Sequence, residues 1–244
     1  MKEGIYINLD DMVVNIVDAP CGCYKTTSAI NMMNENKNER YLYITPYNTE
    51  VQRIIESCSQ RNFVEPLAQR GGGRKIISIA RLIKEKRNIS STHSLFGYFN
   101  SSTIDLDELK DYVLVMDEVA NVVDELDITP KDTSVILDTL CNIDENGLVS
   151  WKDPNYFGKY DEYKRLADLG MLSVYGKNEG RKMFIWMFPA YIFKSFKKVY
   201  ILTYMFNGQL QRCYYDLHNI KYKYIYVKDE HFTEEHQIYN ETKY

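Results

Sequence analysis

The sequence has no long apolar run. No stretch approaches the roughly 18 residues of a membrane-spanning helix, and the N-terminus lacks the apolar segment of a secretory signal. A soluble, cytoplasmic protein is therefore expected. Cysteine is sparse. Cys21, Cys23, Cys58, Cys141 and Cys213 are odd in number and scattered, which excludes a disulfide framework and suits a reducing compartment. Cys21 and Cys23 have no second Cys/His pair at zinc spacing. His231 and His236 stand five apart, off the His-Glu-x-x-His pattern, so neither zinc chemistry is expected. Internal repeats, low-complexity segments and an obvious linker are also missing. Nor does one sign of charge dominate: the formal net charge is −4, so the whole molecule does not advertise a polyanionic partner.

What is present is ordinary globular composition, 45% hydrophobic and 26% charged over 244 residues. That length buries one large core, or one domain with a sizeable insertion. Charge is segregated along the chain. Asp105 to Glu145 holds thirteen Asp/Glu against two Lys, and Tyr191 to Lys228 holds seven Lys/Arg against one Asp. Such segregation can build a basic surface on a neutral protein, or simply two solvated faces.

Apolar periodicity predicts alternating strands and helices. Met12–Val17 reads as a strand, broken by Asp18 to Gly22, and Thr26–Met33 as a helix. Tyr41–Thr45 is a second strand stopped by Pro46, followed by an amphipathic helix over Thr49–Cys58 with Thr49 as N-cap. Gly71, Gly72 and Gly73 mark a loop, Ile76–Lys86 a basic helix, and Asn88–Ser91 a strand. Tyr112–Met116 is continuously apolar, as in a strand buried on both faces of a parallel sheet. The rhythm then breaks: Asp132–Leu140 and Tyr160–Leu169 read as helices, and Leu172–Tyr175 with Lys182–Phe188 as a long-looped hairpin. Val199–Thr203 returns to the buried-strand pattern, and Lys221–Lys228 alternates. The fold class expected is α/β, with a mostly parallel sheet flanked by helices.

Two places carry chemistry. The segment Ala19 to Thr27 follows a strand and opens a helix, the setting in which backbone N–H groups and a positive helix end hold phosphates. Gly22, Cys23, Tyr24, Lys25, Thr26 and Thr27 would form the cradle. Lys25 would neutralise charge and Thr26 would ligate Mg²⁺. Tyr24 stands where phosphate loops carry glycine. Its ring must swing outward, or it fills the cleft and blocks it. An ordinary helix-capping loop is the plain alternative. Further on, Asp117 and Glu118 end the apolar strand, the edge where open α/β sheets place ligands. Asp117 could hold Mg²⁺ and Glu118 could polarise a water; an acidic cap on a following helix is the alternative.

On these residues the chain resembles the first, RecA-like P-loop motor domain of superfamily 2 helicases, in the style of phages and mobile elements of low-GC bacteria. Ala19 to Thr26 looks like motif I and Asp117-Glu118-Val119-Ala120 like motif II. Ile44 to Tyr47 looks like motif Ia, and Asn88 to Phe96 like a later backbone-contacting motif. Leu202-Thr203-Tyr204 resembles motif III. The resemblance implies ATP and Mg²⁺ as cofactors, with Lys25 and Glu118 in catalysis and Thr203 in coupling. It implies backbone contacts to nucleic acid, DNA ahead of RNA, through Thr45, Pro46, Thr92 and His93. The motor domain would span residues 1–228, with an insertion over 121–199 and a polar tail over 229–244. No second motor domain is seen, so a partner domain or chain would supply the arginine fingers. The competing function is a non-enzymatic module that binds nucleotide, nucleic acid or protein. A small-molecule P-loop kinase leaves the motif Ia and Thr-His signals unexplained.

Overall fold

The computed structural model describes residues 12–68, 75–176 and 182–235. The triple glycine, the centre of the hairpin loop and the last nine residues fall outside these ranges. The chain forms two compact units. The first comprises Met1–Phe99, Thr103–Ala120 and Ala190–Tyr244; the second, Asn100–Ser102 and Asn121–Pro189.

The first unit opens with strand β1 (Val13–Asp18), helix α1 (Lys25–Glu35), β2 (Arg40–Thr45) and α2 (Asn48–Ser57). Helix α3 (Lys75–Lys84), β3 (Ile89–Thr92), and the short helices α4 (His93–Phe96) and α5 (Leu106–Leu109) lead to β4 (Tyr112–Asp117). The second unit holds β5 (Val123–Glu125), α6 (Pro130–Val135), β6 (Cys141–Ile143), β7 (Val149–Trp151), α7 (Asp161–Asp168), β8 (Leu172–Tyr175) and β9 (Met183–Met187). The first unit resumes with α8 (Ala190–Lys194), β10 (Lys198–Thr203), α9 (Leu210–Leu217), β11 (Lys221–Lys228) and β12 (His231–Thr233).

Seven strands of the first unit form one sheet in the order β12-β11-β1-β10-β4-β2-β3, parallel throughout except for β12. The central strands β2 and β4 are buried along nearly their whole length, which their unbroken apolar runs require. Strand β11, nearer the edge, is buried only at Ile225 and Val227 and is exposed at Lys221, Lys223 and Lys228. Ala29 and Met33 of α1 and Ile54 of α2 pack with Tyr41, Tyr43, Val113 and Val115 of the sheet. Buried aromatics tie the later helices in: Phe193 of α8 meets Tyr215 of α9 with ring centroids 5.4 Å apart and Phe96 of α4 at 5.9 Å.

The second unit has its own core, built on Ile136, Val149, Leu172, Val174 and Phe184. Strands β8 and β9 pair antiparallel, as the hairpin pattern predicts.

Four expectations need correction. Helix α2 starts at Asn48 with Tyr47 in the cap position and no side-chain cap bond, so Thr49 is not its N-cap. The helix expected over Asp132–Leu140 is two pieces, α6 capped by Thr129 ahead of Pro130, then a π turn over Ile136–Leu140. Residues beyond 228 are not all tail: β12 pairs antiparallel with β11, and Phe232 stacks on Tyr200 at 5.6 Å. The second unit ends at Pro189, so α8 and the start of β10 belong with the sheet rather than with the expected 121–199 insertion.

Candidate functional site

Four parallel strands bring their C-terminal ends to one edge. There β1 ends in Asp18, β2 in Thr45, β4 in Asp117 and β10 in Thr203. Backbone bonds lock the ends together: Ala19 N–H donates to the Thr203 carbonyl at 3.1 Å, and Glu118 N–H to the Leu202 carbonyl at 2.8 Å. Along this edge lies a cleft of about 480 Å³. Gly22, Cys23, Tyr24, Lys25, Thr26 and Thr27 line one wall, Thr45 and Pro46 another, and Asp117 and Glu118 the end.

The loop between β1 and α1 turns through two left-handed residues, Gly22 at φ 81° and Tyr24 at φ 56°. Glycine takes that conformation freely; for tyrosine it costs on the order of 1 kcal/mol. The helix start holds Tyr24 there. Its carbonyl accepts the Ser28 N–H and the Ser28 hydroxyl, both at 2.8 Å. Tyr24 is 58% exposed while also lining the cleft, so it is not buried as a plug. The Lys25 ammonium folds back to donate to the carbonyls of Ala19 and Pro20, the latter at 3.1 Å.

At the end of β4 no helix follows Glu118, which itself has φ 65°. The plain alternative of an acidic helix cap therefore has no helix to cap. Thr203, fully buried, donates to Glu118 Oε2 at 3.4 Å. Asp117 is pushed up to about 6 by burial first and by the Glu118 charge beside it; Tyr43 and Lys25 draw it back down. Burial and the Asp117 charge hold the Tyr43 hydroxyl well above its ordinary value. A carboxylate in that setting gains from a cation. Among the described residues no group of three or more His, Cys, Asp or Glu is placed to hold a metal alone.

The four residues considered for nucleic-acid contact separate. Pro46 is exposed at the cleft rim. Thr45 is among the residues lining the cleft but is wholly buried, and its hydroxyl oxygen is closed off with no hydrogen-bond partner among the described residues, so it offers no outer-edge contact. Thr92 caps α4 by accepting the Leu95 N–H at 3.4 Å. The His93 ring bonds the Asp117 carbonyl at 2.7 Å, and burial lowers its pKa. Thr92 and His93 do not line the cleft.

The structure adds residues that sequence reasoning did not select. Asp18 accepts the N–H groups of Met205 and Phe206 at 2.7 and 3.0 Å, clamping the loop after β10 to the end of β1. An acid closing a buried apolar strand was a usable signal, the same one that marks Asp117. Buried Gln211 of α9 accepts the Ala120 N–H at 2.7 Å and donates to the Tyr215 hydroxyl at 2.7 Å, steadying the turn after Glu118. No local pattern announces that glutamine. Glu50 and Arg53 also enter the cleft from α2.

Comparison with known proteins places relatives beside this geometry. The model of the YonV middle domain matches residues 123–186, within the second unit. The chain is similar to the SPbeta prophage-derived protein YonV of Bacillus subtilis (strain 168), 36% identical over 228 residues. That match covers 88% of this chain and 55% of YonV, so the chain spans about half the length of the curated relative it matches. A prophage-derived relative agrees with the phage side of the resemblance. Neither match carries a helicase description. Among the described residues no helix is long and apolar enough to cross a membrane.

Proposed function

We propose that the first unit binds a nucleoside triphosphate with Mg²⁺ at the C-terminal edge of its sheet and hydrolyses the terminal phosphate, as one motor domain of a superfamily 2-like helicase or translocase acting on nucleic acid. The observation that carries this reading is convergence. A lysine-bearing loop and an Asp-Glu pair 92 positions away (117 minus 25) face one cleft, and a buried threonine from a third strand holds the glutamate.

On this reading Lys25 turns from the loop carbonyls to the phosphates, and the backbone N–H groups opening α1 cradle them. Thr26 and Asp117 would hold Mg²⁺, which would neutralise phosphate charge. Glu118 accepts the proton of the attacking water. The water oxygen bonds to the γ-phosphorus, the bridging oxygen leaves with the bonding electrons, and ADP and phosphate result. Thr203 orients Glu118 and links it to β10. Calorimetric titration with ATP·Mg²⁺ tests the site. Lys25→Ala should lose most of the affinity, and equal affinity in the two proteins removes the phosphate-loop reading. Phosphate release with and without single- and double-stranded DNA and RNA then tests the motor.

A second reading has its own observation. Tyr24 replaces the loop glycine and the Lys25 ammonium is already bonded to carbonyls, as in a degenerate module that binds a partner without hydrolysis. Nucleotide binding without phosphate release under any nucleic acid would favour it.

A further inference from the structure

Arg53 has no part in the reading above, yet it lies inside the cleft. It projects from α2 with Glu50, one turn earlier, and the guanidinium Nη1 donates to Glu50 Oε2 at 2.8 Å. Both side chains line the same cleft as Lys25 and Asp117. The pair stands at the acidic end: the Glu50 charge is among the causes that raise Asp117, and both Glu50 and Arg53 act on the buried Tyr43 beside it.

The charges decide what such a cleft can accept. Two cations, Lys25 and Arg53, face three acids, Glu50, Asp117 and Glu118. An incoming polyphosphate meets repulsion unless both cations turn to it. Lys25 belongs to the loop that holds the inner phosphates. Arg53 comes from α2 rather than from that loop, and its planar fork matches a phosphate's oxygens better than an ammonium does. Glu50 competes for that fork, so only a group offering equal charge at the acidic end draws Arg53 away. On the nucleotide reading the terminal phosphate of a triphosphate is such a group, and a diphosphate lacks it.

We propose that Arg53, released from Glu50, binds the terminal phosphate and makes this site select a nucleoside triphosphate over a diphosphate. The inference rests on the nucleotide reading of the cleft. On that basis Arg53 is a specificity residue of the chain's own, separate from any arginine a partner could bring.

The full chain is titrated calorimetrically with ATP·Mg²⁺ and with ADP·Mg²⁺, as wild type, Arg53→Ala, Arg53→Lys and Glu50→Gln. Loss of one charge-assisted phosphate contact should weaken ATP binding by about tenfold or more in Arg53→Ala and move ADP by less than about twofold. Arg53→Lys should recover part of the ATP preference. Glu50→Gln should tighten ATP more than ADP. Arg53 is 48% exposed in a surface-type pair, so these variants should fold, and unchanged far-ultraviolet circular dichroism checks it. Should Arg53→Ala not fold, Arg53→Lys and Glu50→Gln still read the preference. Wild type binding neither nucleotide would remove the site and the inference together. Wild type binding both, with the ATP-to-ADP ratio unmoved by Arg53→Ala or by the other two variants, would overturn the inference and leave the site standing.

Discussion

Tyr24 and Asp117 each hold a state their chemistry disfavours. Tyr24 occupies the left-handed region at φ 56° and is largely exposed. Tyr24→Gly removes that strain while adding chain entropy to the unfolded state, for a net gain of up to about 1 kcal/mol. Tyr24→Ala keeps the strain and should show no gain. ATP·Mg²⁺ affinity should stay within about threefold of wild type or tighten, since the N–H cradle is unchanged. Thermal melts and titrations of the three proteins check both statements. Binding by the glycine variant alone would mean that the ring does block the cleft. Asp117 offers a pH signature. Its carboxyl is raised from 3.8 to about 6, so between those values the folded state holds the proton that the unfolded state has lost. Stability from this group is therefore greatest below about pH 4, falls as pH rises to about 6, and is flat above. Asp117→Asn abolishes the penalty, and the nucleotide-free variant should be more stable at pH 7.5 by about 3 kcal/mol. Mg²⁺-dependent nucleotide binding should be lost in the same variant. A melting temperature below wild type at pH 7.5 would contradict the assignment.

At the scale of elements, the glutamate turn is held from two sides. Thr203 of β10 reaches the Glu118 carboxylate, and Gln211 of α9 accepts the N–H of Ala120. The glutamine is buried and also bonds Tyr215, so its removal leaves the Ala120 N–H and the Tyr215 hydroxyl without it. Gln211→Ala should cost about 1–3 kcal/mol, read by urea denaturation. A loss within measurement error would show that water replaces the amide at no cost. The strands β1, β2, β4 and β10 were legible because buried runs leave a continuous apolar trace, and β11 because its sequence alternates. Strand β12 and the second unit's β5, β6 and β7 were not, since each has three residues and no period can show in three. The π turn after α6 was hidden for another reason: Ile136 and Leu137 continue a helical apolar pattern whichever ring the hydrogen bonds close.

For the whole molecule, charge sets how it would meet nucleic acid on the proposed reading. With a net charge of −4, any such contact must rest on a few local groups. A duplex held at two or three phosphates loses about ten- to fortyfold in affinity when salt rises fourfold. Fluorescence anisotropy with a labelled duplex should show weak binding of that slope, indifferent to base sequence. Tight, salt-insensitive binding to one sequence would rule the backbone reading out. The sequence by itself determined the α/β class, the loop that ends in Lys25 and Thr26, and the acids that end β4, because these depend on neighbours along the chain. A buried strand must be apolar, and a loop that opens a helix must come directly before it. Only the tertiary structure decided that Thr203 meets Glu118 across 85 positions, that Asp18 clamps the loop after β10, that Thr92 and His93 serve α4 and the Asp117 carbonyl, and that Arg53 enters the cleft. Those contacts come from the strand order, which sets β10 between β1 and β4 and brings distant strand ends to one edge. Local periodicity carries no information about that order.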